Sequence, residues 1–202
     1  MSEKSRYWLV SGGILALVIV VWAIWAGTAA KPYYPEINSP RPVQGSGDAK
    51  IVLEEFSDFQ CPSCKAAQGL LKEILATFGS KIKFSYRHYP LVSIHTQAFR
   101  AALAAECAND QGSFWPYHDK LFEVQPAFSA DELVSYAKDL GLKSDDFKAC
   151  LDSRAKNQII RDDMKEGDSR GITGTPTFFL NGERVEDWTT LKEKVQAKLI
   201  GG

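Results

Sequence analysis

The strongest candidates for a reactive group in the chain are two cysteines separated by two residues. They lie in the stretch FSDFQCPSCKAAQ. Cys61 precedes Pro62, and Cys64 lies one turn further along a run of apolar residues with helical spacing. Proline suits the first turn of a helix because its missing N–H is not needed there. A helix is therefore predicted from Pro62 to about Phe78. A cysteine pair at this spacing can bind a metal, form a structural disulfide or act as a reactive dithiol.

The reactive dithiol is favoured over the two other kinds of site. A zinc site needs a second close pair of ligands, whereas Cys107 and Cys150 are far apart and His88, His95 and His118 show no ligand spacing. A structural disulfide that closes so short a loop stabilises little. At a helix N-terminus, free amides and the helix dipole favour a thiolate. The first cysteine of the pair is thus predicted to have a lowered pKa, and the second to be less accessible.

An acidic residue, Glu55, lies six positions before Cys61 in the stretch KIVLEEF, whose pattern predicts a buried strand. Burying a carboxylate is costly, and strand alternation places Glu54 and Glu55 on opposite faces. Glu54 is the natural choice for an exposed residue or for a salt bridge to a lysine. We hypothesise that Glu55 accepts or relays a proton for Cys64 during exchange.

The elements around these residues indicate an α/β fold. KIVLEEF, the helix from Pro62 and KIKFSYRHY predict a right-handed βαβ unit with parallel strands. TPTFFLNGERVEDW predicts a hairpin with Asn181-Gly182 at its turn, and a last amphipathic helix follows from about Thr190. In GTPT, Pro176 stands at a favourable place for a cis bond, although trans is the more frequent form.

Five helices are predicted between the two halves, the first from SIHTQAFRAALAAECAND. Ser129 and Glu132 predict a capping box, and Ser144 is a plausible N-cap. We predict one α/β domain from residues 50–91 and 172–202, an inserted helical domain over 92–171, and a linker over 31–49. The linker contains four prolines and has room for a short extended piece near Pro42-Val43.

Composition and the N-terminus bear on the compartment. The 202 residues are 45% hydrophobic with a net charge of −1 and no basic cluster, so a nucleic-acid partner is not indicated. The stretch from Tyr7 to Ala30 carries no charge and exceeds the about 20 residues that cross a bilayer. Residues 1–30 are predicted to be an uncleaved anchor, with a cleaved signal peptide as the alternative. An anchor and a signal peptide would each export residues 31–202 to a compartment that permits disulfides.

The stretches EFSDFQCPSC, AAECANDQGSFWPYHDKLFE, FKACLDS and GITGTPTFFLNG together resemble the DsbA-like thiol–disulfide oxidoreductases, from about residue 42 to the C-terminus. The resemblance implies a thioredoxin-like fold with an inserted α-helical domain. It also implies that Cys61 is the nucleophile and Cys64 the resolving cysteine. Glu55 matches the family's buried acid, Pro176 its cis-proline loop, and Thr175 the residue that contacts the substrate backbone.

The active-site dipeptide departs from the family's strongest oxidases. Pro62-Ser63 replaces their Pro-His, so the neighbouring imidazole is absent, although serine can still donate a hydrogen bond. No N-terminal dimerisation domain is expected in residues 31–50, which favours a monomer. Cys107 and Cys150 are expected to pair as a structural disulfide rather than remain free in an oxidising compartment, with a stabilisation of about 4 kcal/mol.

Together, the residues and the resemblance predict an exported, membrane-tethered oxidase that donates the Cys61–Cys64 disulfide to reduced, unfolded secreted proteins. A quinone-linked membrane partner of the DsbB or vitamin K epoxide reductase type is expected to reoxidise it, with no bound cofactor or metal. One alternative is a reductase or isomerase fed by a transmembrane electron donor. A second, of another class, is a chaperone-like or metal-handling module whose cysteine pair holds a thiophilic ion.

Overall fold

The computed structural model describes residues 41–201. The predicted anchor or signal over residues 1–30 lies outside them, and no helix within 41–201 is long and apolar enough to cross a membrane. The strands are β1 (Val43–Gly45), β2 (Ile51–Ser57), β3 (Ile82–His88), β4 (Thr177–Leu180) and β5 (Glu183–Val185). The helices are α1 (Pro62–Phe78), α2 (Ala98–Asn109), α3 (Phe114–Val124), α4 (Ala130–Asp139), α5 (Ser144–Ser153), α6 (Asn157–Ser169) and α7 (Leu191–Gly201), with a 3₁₀ turn at Trp188–Thr190.

The five strands form one mixed sheet in the order β1-β3-β2-β4-β5. β2 and β3 are parallel, as predicted for the βαβ unit, and β4 pairs antiparallel with both β2 and β5. The predicted hairpin turn is also confirmed, because Asn181 and Gly182 have φ angles of 52° and 81°. Positive φ at both central residues is what a tight two-residue hairpin requires.

Within the predicted linker over 31–49, the extended piece expected near Pro42-Val43 is present as strand β1, and it belongs to the sheet. β1 pairs antiparallel with β3, with Val43 opposite Ser85. Just before β1, the Nε atom of Arg41 lies 2.8 Å from a carboxylate oxygen of Asp163, and both side chains are buried. Backbone pairing and a buried ion pair, neither of which has a local sequence signal, together fix this segment.

Hydrophobic side chains pack on both faces of the sheet. Between the sheet and α1, residues such as Leu53, Leu71 and Phe178 form one cluster. A larger cluster joins the helices α2–α6 to the active-site region through Phe59 and Tyr86. These two groups and a third beneath α6 hold the βαβ half and the helices in one folded unit.

The five predicted helices between β3 and β4 are present, with two local differences. Ser129 and Glu132 form the predicted capping box. Ser144, by contrast, is the first residue of α5 and Lys143 is the N-cap, so the predicted cap is wrong. The first of these helices begins only at Ala98, because residues 91–97 form turns.

Candidate active site

The two cysteines of CPSC lie at the N-terminus of α1. Cys61 is the N-cap residue, with an extended backbone and no side-chain capping bond, and Pro62 occupies the first helical turn. The side chain of Cys64 is completely buried, whereas Cys61 retains 7% of its exposure. Both are free thiols in this structure. Ser63 between them is exposed, and Cys61 is the more accessible of the two cysteines.

Several hydrogen-bond donors lower the pKa of Cys61 from 9.0 to about 5. The largest contribution is the hydrogen bond from the Cys64 thiol, followed by the Thr175 hydroxyl and by the backbone N–H groups of Cys64 and Ser63. Partial burial acts in the opposite direction but does not cancel these contributions. Cys61 is therefore a thiolate at neutral pH, as predicted from its position at a helix N-terminus.

The environment of Cys64 has the opposite effect. Burial raises the pKa of Cys64 well above 9.0, and its hydrogen bond to Cys61 and the nearby Glu55 carboxylate raise it further. The backbone N–H of Asp58 points towards the Cys64 sulfur at 3.5 Å. The pair thus contains one thiolate and one thiol, and the proton stays on the buried sulfur.

A loop from the other half of the chain covers Cys61. The peptide bond between Thr175 and Pro176 is cis, and the Cys61 sulfur lies 3.3 Å from the Thr175 carbonyl oxygen. The structure therefore brings together the GTPT stretch and the CPSC motif, as the resemblance implied.

Glu55 is completely buried on the face of the sheet that packs against α1. Burial raises its pKa from 4.5 to about 8, which hydrogen bonds with Ser57 and Gln68 partly oppose. The Gln68 side chain donates to Glu55 Oε1 at 3.5 Å. Glu55 is consequently protonated at neutral pH and lies close enough to Cys64 to raise the pKa of that thiol.

Glu54 lies on the opposite face, as the alternation predicted, but its partners are arginines rather than a lysine. Its carboxylate lies 3.4 Å from Arg87 and 3.2 Å from Arg170. These guanidinium groups make Glu54 part of a structural ion network, so only Glu55 faces the cysteines.

Two polar residues beneath Cys64, Ser57 and Tyr86, were not identified from the sequence. Tyr86 is opposite Glu55 in the β2–β3 ladder, and both Ser57 and Tyr86 are buried. Within residues 41–201, Ser57 Oγ, Tyr86 Oη and Glu55 Oε2 have no well-aligned hydrogen-bond partner. The Ser57 hydroxyl nevertheless acts to lower the pKa of Glu55, Cys64 and Tyr86. Alternation along β2, which places Ser57 on the face of Glu55, was the available signal.

Away from this site, Cys107 of α2 and Cys150 of α5 form a disulfide. Among residues 41–201, no cluster of three or more His, Cys, Asp or Glu side chains has the arrangement of a metal site.

Comparison with known proteins agrees with this geometry. A family model described as Thioredoxin matches residues 38–197. The crystal structure of oxidised BdbD from Bacillus subtilis is 30% identical, with a TM-score of 0.71 over 79% of this chain and 92% of that chain. The catalytic domain of ScsC from Proteus mirabilis, at 21% identity, shares the fold, with a TM-score of 0.68 over 81% and 92% of the two chains. The chain belongs to the Thioredoxin family. Within it, the chain is a member of the DsbA-like thiol–disulfide oxidoreductases.

Curated relatives match over part of their length. The Na(+)/H(+) antiporter NhaA 1 of Salinispora arenicola is 39% identical over 142 residues, which are 70% of this chain and 22% of the antiporter. Across such relatives, the chain spans between about a fifth and a third of their length. The antiporters are therefore much longer than the region that matches this chain.

Proposed function

We propose that this chain is an exported oxidase that passes the Cys61–Cys64 disulfide to cysteines of reduced, unfolded secreted proteins. The observation that carries the proposal is the opposed shift of the two thiols, since the pKa of Cys61 is lowered to about 5 and that of Cys64 is raised. A stabilised thiolate favours the reduced pair, and this makes the disulfide form a stronger oxidant.

The exchange takes place in two displacements. A substrate thiolate attacks Cys61 Sγ, the Cys61–Cys64 bond breaks, and Cys64 leaves with the electron pair. A second substrate thiolate then attacks the substrate sulfur of the mixed disulfide, and Cys61 leaves as a thiolate. Two electrons pass from the substrate dithiol to the cysteine pair, and the substrate gains one disulfide.

In this proposal, Glu55 supplies the proton that Cys64 takes up when it leaves. Its carboxyl group is protonated below about pH 8, and in the reverse direction the same group accepts the proton. Ser57 lies on the same face of β2 and interacts with both groups, so it is a positioning residue between them. Thr175 and Pro176 hold the substrate backbone beside Cys61, as the family resemblance implies. The distance of 3.3 Å between the Thr175 carbonyl oxygen and the Cys61 sulfur supports this role.

We also propose that residues 31–202 act outside the cytoplasmic membrane, behind an anchor or cleaved signal in residues 1–30. The Cys107–Cys150 disulfide supports an oxidising compartment, and the uncharged stretch from Tyr7 to Ala30 supports export. The proposed partner for reoxidation is a quinone-linked membrane protein of the DsbB or vitamin K epoxide reductase type. The protein is proposed to be a monomer without a bound cofactor.

The redox equilibrium of Cys61–Cys64 with glutathione tests the proposal. For an oxidase, the pair should remain reduced in a glutathione buffer of oxidising poise, and the disulfide form should oxidise a reduced, unfolded protein. A pair that stays oxidised in a reducing buffer contradicts the oxidase and supports the reductase. Cys64→Ser should accumulate mixed disulfides through Cys61, and Cys61→Ser serves as the matched control without adducts.

A further inference from the structure

A groove of about 410 Å³ lies between the segment that leads into α2 and the helix α6, and it takes no part in the exchange described above. It is formed by the loop before α2, the first turns of α2 and the N-terminal part of α6. Its floor is apolar and its rim is basic. The floor residues are Phe99, Leu103 and Met164, and the rim residues are Arg100, Arg154 and Arg161.

The positive charge of the rim is not neutralised by the part of the chain that the structure describes. All three arginines are exposed, none of them forms an ion pair within residues 41–201, and no acidic side chain lines the groove. The Arg161 guanidinium instead lies 5.7 Å above the Phe99 ring.

The N-terminus of α6 opens onto the same groove through Asn157. This helix has no capping side chain and no acidic residue in its first turn. The N–H of Asn157 donates to the Arg154 carbonyl oxygen at 3.0 Å, so this helix end adds its dipole, rather than a free amide, to the attraction of the three arginines for anions.

The loop over residues 91–97 connects this groove to the active site. His95 Nδ1 lies 2.8 Å from the Asp58 carboxylate, and the backbone N–H of Gln97 donates to the Gln60 side chain at 2.6 Å. Gln60 directly precedes Cys61, and Thr96, between the two contacts, lines the groove. The loop that lines the groove is therefore hydrogen-bonded to Asp58 and Gln60, which lie just before Cys61 in the chain.

The same loop exposes large apolar side chains. Val92 and Ile94 are 51% and 68% exposed, and Val92 lines the groove. Exposed apolar residues next to unneutralised arginines are typical of surfaces that bind a partner.

We propose that this groove docks an acidic segment with apolar side chains, belonging to the polypeptide whose cysteine exchanges with Cys61. The identity of the partner as a thiol protein rests on the proposed function. Carboxylates pair with the three arginines, and an apolar side chain enters the recessed floor. A polypeptide is favoured over a membrane because a planar surface contacts only the rim, whereas the side chains of an extended segment reach Phe99 and Met164. Charge complementarity of this kind sets partner choice and association rate.

The test uses a probe that cannot exchange disulfides, so it does not depend on the proposed function. A fluorescent, cysteine-free peptide of alternating glutamate and leucine is titrated with the full chain in neutral detergent, and fluorescence anisotropy gives the Kd. Arg154→Glu/Arg161→Glu should weaken binding by about tenfold or more, which corresponds to the loss of two modest ion pairs. Lys138→Glu, an exposed charge reversal on α4, is the control and should leave the Kd unchanged.

Three results overturn the proposal: no peptide binding, binding that the arginine reversals leave unchanged, or equal binding of a lysine–leucine peptide. Arginine-dependent binding of glycerophosphoglycerol without binding of the acidic peptide assigns the groove to a lipid headgroup instead. Oxidation of a neutral dithiol peptide, measured in parallel, should be equal in the wild type and the reversed variant. If the wild type does not oxidise the dithiol peptide, the proposed function is refuted. The groove proposal is not affected by that result, because the cysteine-free titration tests it separately.

Discussion

The Cys61 sulfur and the Thr175 carbonyl oxygen lie 3.3 Å apart, although 114 positions separate the two residues in the chain. The Thr175 hydroxyl is also one of the groups that lower the pKa of Cys61. The set of groups around the reactive sulfur is therefore complete only when β4 and the turn before it pack against the βαβ unit. A peptide that contains CPSC and α1 alone lacks this contact, so its Cys61 is expected to be less acidic.

The Cys64 thiol is the largest contributor to the low pKa of Cys61, and this allows a direct test. Cys64→Ala removes the donor and should raise the pKa of Cys61 from about 5 towards the ordinary value for a thiol. Cys64→Ser keeps a hydroxyl donor and should retain most of the shift. The thiolate absorbance at 240 nm, followed against pH, gives both values. Equal pKa values in the two variants contradict the assigned cause.

Burial of Glu55 should make stability depend on pH. Its pKa is raised from 4.5 to about 8, so between these values the folded state keeps a proton that the unfolded state has lost. The free energy of unfolding therefore falls as the pH rises through this window. The glutamine of Glu55→Gln does not titrate. Between pH 4.5 and pH 8, the free energy of unfolding of this variant should therefore rise by about 2 to 4 kcal/mol relative to that of the wild type.

Guanidinium unfolding of the oxidised proteins at the two pH values measures this gain without interference from free active-site thiols. Glu54→Gln is the matched control, since Glu54 pairs with Arg87 and Arg170 on the other face. It should destabilise the protein at both pH values by similar amounts. A Glu55→Gln variant whose difference from the wild type does not change with pH shows that the buried carboxyl keeps an ordinary pKa.

The Cys107–Cys150 disulfide closes a loop with a sequence separation of 43 residues. In the chain-entropy treatment, a crosslink of this span stabilises the folded state by about 4 kcal/mol. Cys107→Ala/Cys150→Ala should therefore lower the free energy of unfolding by about that amount. Its Cys61 pKa should be unchanged, because the disulfide is not among the groups that shift this pKa. A shifted pKa would indicate coupling between the helices and the active site.

The ion pair between Arg41 and Asp163 should make a measurable contribution to stability. Their side chains are 5% and 0% exposed, and removal of one partner leaves a buried charge incompletely paired. Asp163 keeps Arg87 at 3.4 Å and the His88 backbone N–H at 3.0 Å. Arg41→Met should thus cost about 2 to 4 kcal/mol, at the lower end for a broken buried pair. Thermal unfolding checks this, with Arg41→Lys expected to recover part of the loss.

The parts of the fold that sequence reasoning predicted all have local signals. Pro62 marks the start of α1, Asn181-Gly182 marks the hairpin turn, and the alternation around Glu55 separates it from Glu54. Each of these depends on a few neighbouring residues whose backbone preferences are strong. The CPSC motif likewise predicted the lowered pKa of Cys61 and the deeper burial of Cys64, because a helix N-terminus stabilises an adjacent thiolate.

The parts that were missed depend on contacts between distant segments. β1 is three residues long and follows a proline-rich stretch, so its pairing with β3 has no periodic pattern. Arg41 meets Asp163 only in the folded chain. The arginine groove combines Arg100, Arg154 and Arg161 from separate elements. Ser57 had a signal in the strand alternation, but a single serine carries too little chemistry to stand out.

The attachment of β1 has a mechanical consequence. Tension applied through the residues that precede Arg41 acts first on its buried ion pair with Asp163 and then on the three β1 residues paired with β3. The Cys61 sulfur and the loop at Thr175 lie on other elements, α1 and the turn before β4. When a pulling force acts on the N-terminal end of the domain, the edge of the sheet at β1 therefore resists it. The distance between Cys61 and the loop at Thr175 stays unchanged.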